Sequence, residues 1–343
     1  MKLLVTGTDG YIGVLLAAVL GQRGHEVTGL DTGFYLDGLL YKGGRLPMRH
    51  IQKDIRQITP DDLRSYDAVV HLAELSNDPL GQHNPELTFE INHLGSVSLA
   101  RKAKETGVTR FVYTSSCSVY GIASSESVTE ESPTNPQTAY AQCKVLVERD
   151  VSALADNSFS PTFLRNATAF GASPRMRFDI VLNNLAGLAW TTKEIKMISD
   201  GTPWRPLVHV LDICEAGACA LEAPRESVHN QVFNVGDNGQ NYRVREIAQI
   251  VAEVFPGCAL SFGANGADNR SYRVNFDKIN SLLPGFRCQR DARTGARELR
   301  AVFERINLTR EIFEFRAFTR LKQLEHLLQS AQIDARLYWR QSQ

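Results

Sequence analysis

The chain has no surplus of charge: 38 Lys and Arg are matched by 38 Asp and Glu, and with its eight His counted neutral the formal net charge is zero. Bulk attraction to nucleic acid or to an anionic membrane therefore has no source, and any basic patch must be small and local. Long apolar runs are missing too. The longest uncharged one near the start, Tyr11 to Gly21, is shorter than the ~20 residues that span a bilayer, and Gln22 and Arg23 follow it at once. After Lys2 the apolar stretch covers only Leu3 to Val5, with no small-residue cleavage site behind it, so no secretory leader is expected. Cysteine is sparse, at 117, 143, 214, 219, 258 and 288, with no C-x-x-C pair and no zinc-like spacing. Reduced thiols, a cytoplasmic protein and no metal are the expectation.

What is present is ordinary globular material. Hydrophobic residues make up 43% and charged residues 22% of 343, which excludes a disordered or collagenous chain and allows two domains or one large one. Up to about residue 165 short β-like runs alternate with longer helix-like ones. Leu3–Val5, Glu26–Leu30, Ala68–His71, Arg110–Thr114 and Pro161–Leu164 read as strands; Ile12–Arg23 and Leu87–Thr106 read as amphipathic helices. That rhythm is one of repeated βαβ units and predicts an α/β fold, a parallel sheet covered by helices on both faces. Later the rhythm loosens, with a helix expected over Ile180–Thr191, a strand over Pro206–Val210 and a helix over Val244–Val254. The last ~45 residues, rich in Arg and Leu, read as helical and polar-faced. No internal repeat or low-complexity linker divides the chain.

Thr6-Gly7-Thr8-Asp9-Gly10-Tyr11-Ile12-Gly13 follows the first strand and opens the first helix. Glycines there permit a tight turn and bring backbone amides close to a pyrophosphate at a helix N-terminus. Asp31 closes the second strand, where a carboxylate accepts from both ribose hydroxyls of an adenosine. No Lys or Arg follows it in Thr32-Gly33-Phe34, which favours NAD over NADP. Asp54, after a third strand-like piece, is a candidate acceptor for the adenine edge, or simply a capping or solvated Asp. Tyr140 and Lys144 are spaced i, i+4, on one face of a helix. An ammonium beside a phenol draws its pKa from about 10 toward neutrality, which suits proton transfer to and from a hydroxyl.

TGTDGYIG, Asp31, DAVVHLAELS at 67–76, Asn92, YTSSCSVYG at 113–121, YAQCK at 140–144 and DGTPWRPLVHVLD at 200–212 stand in the order found in the extended short-chain dehydrogenase/reductase family. The chain resembles that family's NAD-dependent nucleotide-sugar epimerase and dehydratase branch over nearly its whole length. The resemblance implies a Rossmann-type doubly wound parallel sheet with a smaller interleaved α/β substrate-binding domain. The expected division is residues 1–165 plus about 206–240 for NAD, about 166–205 and 241–320 for the nucleotide sugar, and a helical extension over about 321–343. Ser116 would hydrogen-bond the reacting oxygen, Tyr140 would act as acid/base, and Lys144 would bind the nicotinamide ribose. Gly7, Gly10, Tyr11, Ile12, Gly13, Asp31, Asp54, Ile55, Leu72, Ala73 and Asn92 would hold NAD. Asn166, Asn183, Asn184, Arg205, Arg270 and Ser118 would face the substrate, the guanidinium of Arg205 meeting its diphosphate. A homodimer through a four-helix bundle, from helices near 87–106 and 139–155, is a further implication.

Departures from the family pattern carry as much information. The family's 4,6-dehydratases place Asp and Glu after the catalytic Ser or Thr; this chain has Cys117 and Ser118, which supply no carboxylate pair. Cys117 is one place early for a catalytic thiol and reads as a buried small residue. Glu74 stands where a small residue is usual, at the carboxyl edge of the sheet where ligands bind. It is either a substrate contact or extra acid/base, or a solvated or ion-paired loop residue. The function expected is epimerisation of a nucleotide-diphosphate sugar through a transient 4-keto sugar. The alternatives are net reduction of a 4-keto sugar, or another NAD-dependent oxidoreductase or dehydratase of this class. A non-enzymatic NAD(H) sensor is the remaining alternative; an intact Ser116-Tyr140-Lys144 set argues against it.

Overall fold

The computed structural model describes residues 1–43, 49–76, 78–123, 127–264 and 270–340. Its centre is a parallel sheet of β1 (Lys2–Thr6), β2 (Glu26–Asp31), β3 (Arg49–Gln52), β4 (Ala68–His71), β5 (Arg110–Ser116), β6 (Ser160–Asn166) and β10 (Gln231–Val235). Across the sheet the order is β10-β6-β5-β4-β1-β2-β3. Leu3, Leu4 and Val5 are all fully buried, as a strand covered on both faces must be. The order turns back between β1 and β4, so a crevice opens at their carboxyl ends, the usual ligand site of such sheets. Between β6 and β10 lie β7 (Thr168–Phe170), β8 (Glu194–Lys196) and β9 (Trp204–His209); β11 (Asn241–Arg243) and β12 (Ala259–Ser261) follow. β11, β9 and β7 make a small second sheet, and β12 pairs with β8.

The longer helices are α1 (Gly13–Gln22), α2 (Ser96–Glu105), α3 (Ala139–Ser152), α4 (Val181–Thr191), α5 (Val210–Glu222), α6 (Val244–Val254), α7 (Ala292–Arg305) and α8 (Arg320–Gln329). Thr138 caps α3 by accepting from the Ala141 amide at 3.2 Å, and its own hydroxyl donates to Asp78 at 2.5 Å. The buried stripe of α3 includes Lys144 and Glu148, two charges one turn apart that must find partners in the interior. His71 ties β4 to its neighbours, with Thr6 Oγ1 2.7 Å from Nδ1 and Ser96 Oγ 2.7 Å from Nε2; burial and Lys144 push its pKa down to about 3, so it is a neutral strut.

The structure departs from the expected elements at three places. The helix expected as continuous over Leu87–Thr106 contains π-helical turns at Phe89–Gly95, which set Asn92 into the interior. α5 and β10 were not expected as elements. The C-terminal stretch is not a polar-faced helix throughout: α8 stops at Gln329, and an isolated bridge joins Ile333 to Trp339. Leu324, Leu327, Ile333 and Leu337 are buried in the same cluster as Leu30, Phe34 and Ile55, so apolar burial folds this segment back on the sheet. Its final three residues lie outside the described ones.

Candidate active site

A cavity of about 500 Å³ runs along the carboxyl ends of β1, β4 and β5. At one end is the glycine turn. Gly7 has φ of 80°, and a Cβ added at Gly13 would lie 2.0 Å from the Gly7 carbonyl oxygen, so the turn closes only with glycine there. Gly7, Gly10, Tyr11, Ile12 and Gly13 all line the cavity. Asp31 accepts from the Asp9 amide at 3.0 Å and the Gly33 amide at 2.9 Å, which fixes its carboxylate at the mouth of β2. Burial, and then the nearby Asp9, push its pKa up. Asp54 and Ile55 line the same end. Both Asp54 oxygens are engaged by Arg56, at 3.0 and 2.7 Å through the side chain and 2.8 Å through the amide, so this carboxylate is a cap and ion-pair partner.

At the other end the i, i+4 spacing places Tyr140 and Lys144 together, beside Ser116 at the tip of β5. Ser116 Oγ accepts from the Ser118 amide at 3.1 Å, leaving its own proton to donate. The Lys144 ammonium lies 2.5 Å from Glu74 Oε2 and donates to the Thr114 carbonyl. Glu74 also accepts from the Tyr113 hydroxyl at 2.5 Å. Glu74 lines the cavity and is ion-paired with Lys144, buried rather than solvated. Burial works against the Lys144 charge, but Glu74 and Tyr140 hold its pKa above the ordinary value.

The phenol drawn toward neutrality is not what the protein's own groups produce. Burial pushes Tyr140 up, Lys144 pulls it down, and Glu74 and Asp78 push it up again. The main reason is burial of the phenol; the carboxylate on Lys144 then offsets part of the field the spacing alone would supply. Cys117 is buried with its thiol toward the Arg165 carbonyl at 3.1 Å, and burial raises its pKa, so it is packing. Cys143 is likewise buried, its thiol pushed up to about 12.

Leu72 and Ala73 line the middle of the cavity. Asn92 does not reach it: its side chain accepts from the Leu75 amide at 2.8 Å and donates to the Leu75 carbonyl at 3.0 Å, holding the strand end in place. Asn183 and Asn184 are also off the cavity wall. Asn183 holds the Gly171 amide and the Arg177 carbonyl, and Asn184 donates to the Phe178 carbonyl, so both shape the loop before α4. Asn166, Ser118, Arg205 and Arg270 do line the cavity. Among the described residues Asn166 Oδ1 and Ser118 Oγ are buried without a hydrogen-bond partner, so both are free to meet a ligand's polar groups. Arg205 donates to the carbonyls of Trp204 and Arg270, and Arg270 pairs with Asp78.

Sequence reasoning missed Tyr113, Arg177, Asp179, Tyr35 and Arg320. Tyr113 was legible only as part of a strand. Arg177 and Asp179 form an ion pair at 2.8 Å on the cavity wall, and the charges of Arg175-Met176-Arg177-Phe178-Asp179 were the signal for it. Arg320 lies far along the chain, with no motif around it.

A doubly wound sheet with a glycine turn at its switch point, an acid after the second strand and a Ser-Tyr-Lys set on the opposite lip defines a dinucleotide-dependent enzyme working at a carbinol carbon. The chain belongs to the NAD dependent epimerase/dehydratase family, whose match spans residues 3–236. It is 29% identical over 273 residues to the UDP-glucose 4-epimerase of Corynebacterium glutamicum, covering 74% of this chain and 80% of that protein. Among solved structures it is similar to MoeE5 in complex with UDP-glucuronic acid and NAD, at 25% identity and a TM-score of 0.77, over 89% of this chain and 99% of the other. It is also similar to DesIV, the dTDP-glucose 4,6-dehydratase of Streptomyces venezuelae, at 25% identity and a TM-score of 0.76, over 91% and 100%. NAD is the cofactor, and the cavity fits it: the glycine turn that would take a pyrophosphate lines one end, and Asp31, which could accept from a ribose, lines the same end.

Proposed function

We propose that the chain epimerises the hexose of a nucleotide-diphosphate sugar at C4, with a UDP-sugar as the first candidate. The observation that carries this reading is the Ser116-Tyr140-Lys144 set on a cavity whose far end holds the glycine turn and Asp31, with no carboxylate at 117 or 118. NAD supplies a hydride acceptor that can return the hydride to either face of the ring. The protein's part is to move the proton and hold the sugar. Tyr140 takes the C4 hydroxyl proton and gives it back, Ser116 donates to the same oxygen, and Lys144 biases the phenol toward the form that accepts. Asn166 Oδ1 and Ser118 Oγ receive or donate to sugar hydroxyls, and Arg205 and Arg270 meet the diphosphate. The named activity of the curated relatives supports epimerisation, and Cys117 with Ser118 supports it against elimination.

The sugar is held by the chain of about 166–205 and 241–320, and the cofactor by 1–165 with about 206–240. The enzyme is a homodimer: Leu94, 59% exposed, together with His93 and Asp150 of the face shared by α2, α3 and the π-helical turns, supports contact there. Six free cysteines fit a cytoplasmic setting, and no helix among the described residues is long and apolar enough to cross a membrane. Purified protein incubated with UDP-, dTDP-, GDP- and CDP-hexoses tests the reading. Appearance of a C4 epimer without net NADH supports it. A stoichiometric NAD(P)H requirement would replace it with a 4-keto-sugar reductase, and binding without turnover on every sugar with a sensor.

A further inference from the structure

Arg320 opens α8, is only 3% exposed, and lines the cavity. Its guanidinium carbon sits 3.9 Å over the Tyr35 ring. Among the described residues the guanidinium makes no ion pair and no hydrogen bond; only its backbone amide is engaged, by Asp179 at 3.1 Å. The two carboxylates nearest in charge are already committed. Asp179 is held by Arg177 at 2.8 and 3.2 Å, and Asp31 accepts from two amides. Burial, and then Arg177, push the Arg320 pKa down to about 10, as expected of a cation with no counter-charge of its own. A buried, unpaired guanidinium is costly unless something anionic completes it.

We propose that Arg320 is a phosphate-binding residue of the cofactor site, contributed by the C-terminal segment to the cavity that the glycine turn also lines. The proposal rests on the reading of this cavity as the dinucleotide site. A planar guanidinium braced on an aromatic ring is pre-organised to donate two hydrogen bonds to phosphoryl oxygens. The phosphate is the cofactor's diphosphate, because NAD carries no 2′-phosphate. α8 thereby becomes part of the binding site instead of an appendage.

Calorimetric titration of the cofactor-free full chain with NAD+, NADP+, ADP and adenosine tests this for wild type, Arg320→Met and Arg320→Gln. If the diphosphate is the partner, NAD+ and ADP bind ~10- to 100-fold more weakly in both variants while adenosine is unchanged. Weakening of NADP+ alone would place Arg320 at a 2′-phosphate and overturn the proposal. The melting temperature of the cofactor-free variants should equal or exceed that of wild type, because an unpaired charge has been removed. Unchanged affinity for all three phosphorylated ligands overturns the proposal alone. So does a lower cofactor-free melting temperature, or failure of both variants to fold, since Arg320 is then a structural cation. A wild-type chain that binds no dinucleotide overturns the reading of the cavity itself.

Discussion

The two ends of the cavity handle buried charge in opposite ways. At the reaction end the buried charges are paired with one another: Lys144 with Glu74 and the Thr114 carbonyl, Glu74 also with Tyr113, and behind them Arg165 with Glu148 at 2.6 Å. At the adenosine end Arg320 is buried with no anionic partner among the described residues. A closed network fixes geometry before substrate arrives, which is what proton transfer over a short distance requires. An open charge instead makes the local structure depend on its ligand, which is what tight retention of a cofactor through a redox-neutral cycle requires.

The largest expected effect lies at the reaction end. Tyr140→Phe removes the proton carrier while leaving the ring, so kcat should fall ~10²- to 10⁴-fold with NAD affinity unchanged. Steady-state assay with a parallel NAD titration checks it; a variant that retains most of its kcat would move the acid/base role elsewhere. The next prediction concerns stability. Glu74→Gln or Lys144→Met alone leaves a buried charge without its partner and should cost ~3–5 kcal/mol, whereas the double variant should recover a large part of that. Urea denaturation of the four proteins measures it. Additive losses would mean the pair is not coupled, and the contrast with Arg320 would lose one side.

Glu74→Gln also bears on the pH profile. The Glu74 carboxylate raises the Tyr140 pKa, so removing its charge lets Lys144 draw the phenol down. Because the phenolate is the form that accepts the proton, the acid limb of kcat against pH should move to lower pH. A profile unmoved, or shifted to higher pH, would show that Glu74 does not act on Tyr140.

Much of this could be read without coordinates, for physical reasons that differ by residue. The glycine turn, Asp31 and Tyr140-Lys144 depend on local geometry, namely a tight turn, a strand end and one helical turn, and local geometry is written in spacing. α5 was invisible because Ala216, Gly217, Ala218 and Ala220 are small and α5 is buried on nearly every side, leaving no amphipathic stripe. β10 is five residues whose Gln231 and Asn234 break the apolar run expected of a buried strand. The family resemblance implies that Asn183 faces the substrate; burial instead turns it to the backbone of the loop at 171–177. Glu74 stood out in sequence as an oddity, yet its partner could be found only once β4 and α3 were packed together. Arg320 is the extreme case, since nothing local marks a residue whose role comes from the fold bringing the chain's end to its beginning.

The smallest expected effect sharpens the comparison at the adenosine end. The Trp339 indole donates to the Thr32 carbonyl at 2.6 Å and its ring centroid lies 5.6 Å from that of Phe34, and both Thr32 and Phe34 line the cavity. Beside it Arg56 stacks under Tyr338 at 3.9 Å and donates to the Arg336 carbonyl at 2.9 Å, so the final turn is clasped to the strand ends. Trp339→Ala loses one neutral hydrogen bond, worth about 1 kcal/mol, and should weaken NAD+ about fivefold by loosening the wall around the adenosine. Adenosine should weaken by the same factor, because the wall and not a phosphate is affected. That pattern is the opposite of the one expected for Arg320→Met, which spares adenosine. Equal titrations of NAD+ and adenosine against the two variants therefore separate enclosure from charge. If Trp339→Ala weakens NAD+ but spares adenosine, the wall acts on the phosphates after all, and the adenosine end is one electrostatic unit instead of a wall and a clamp.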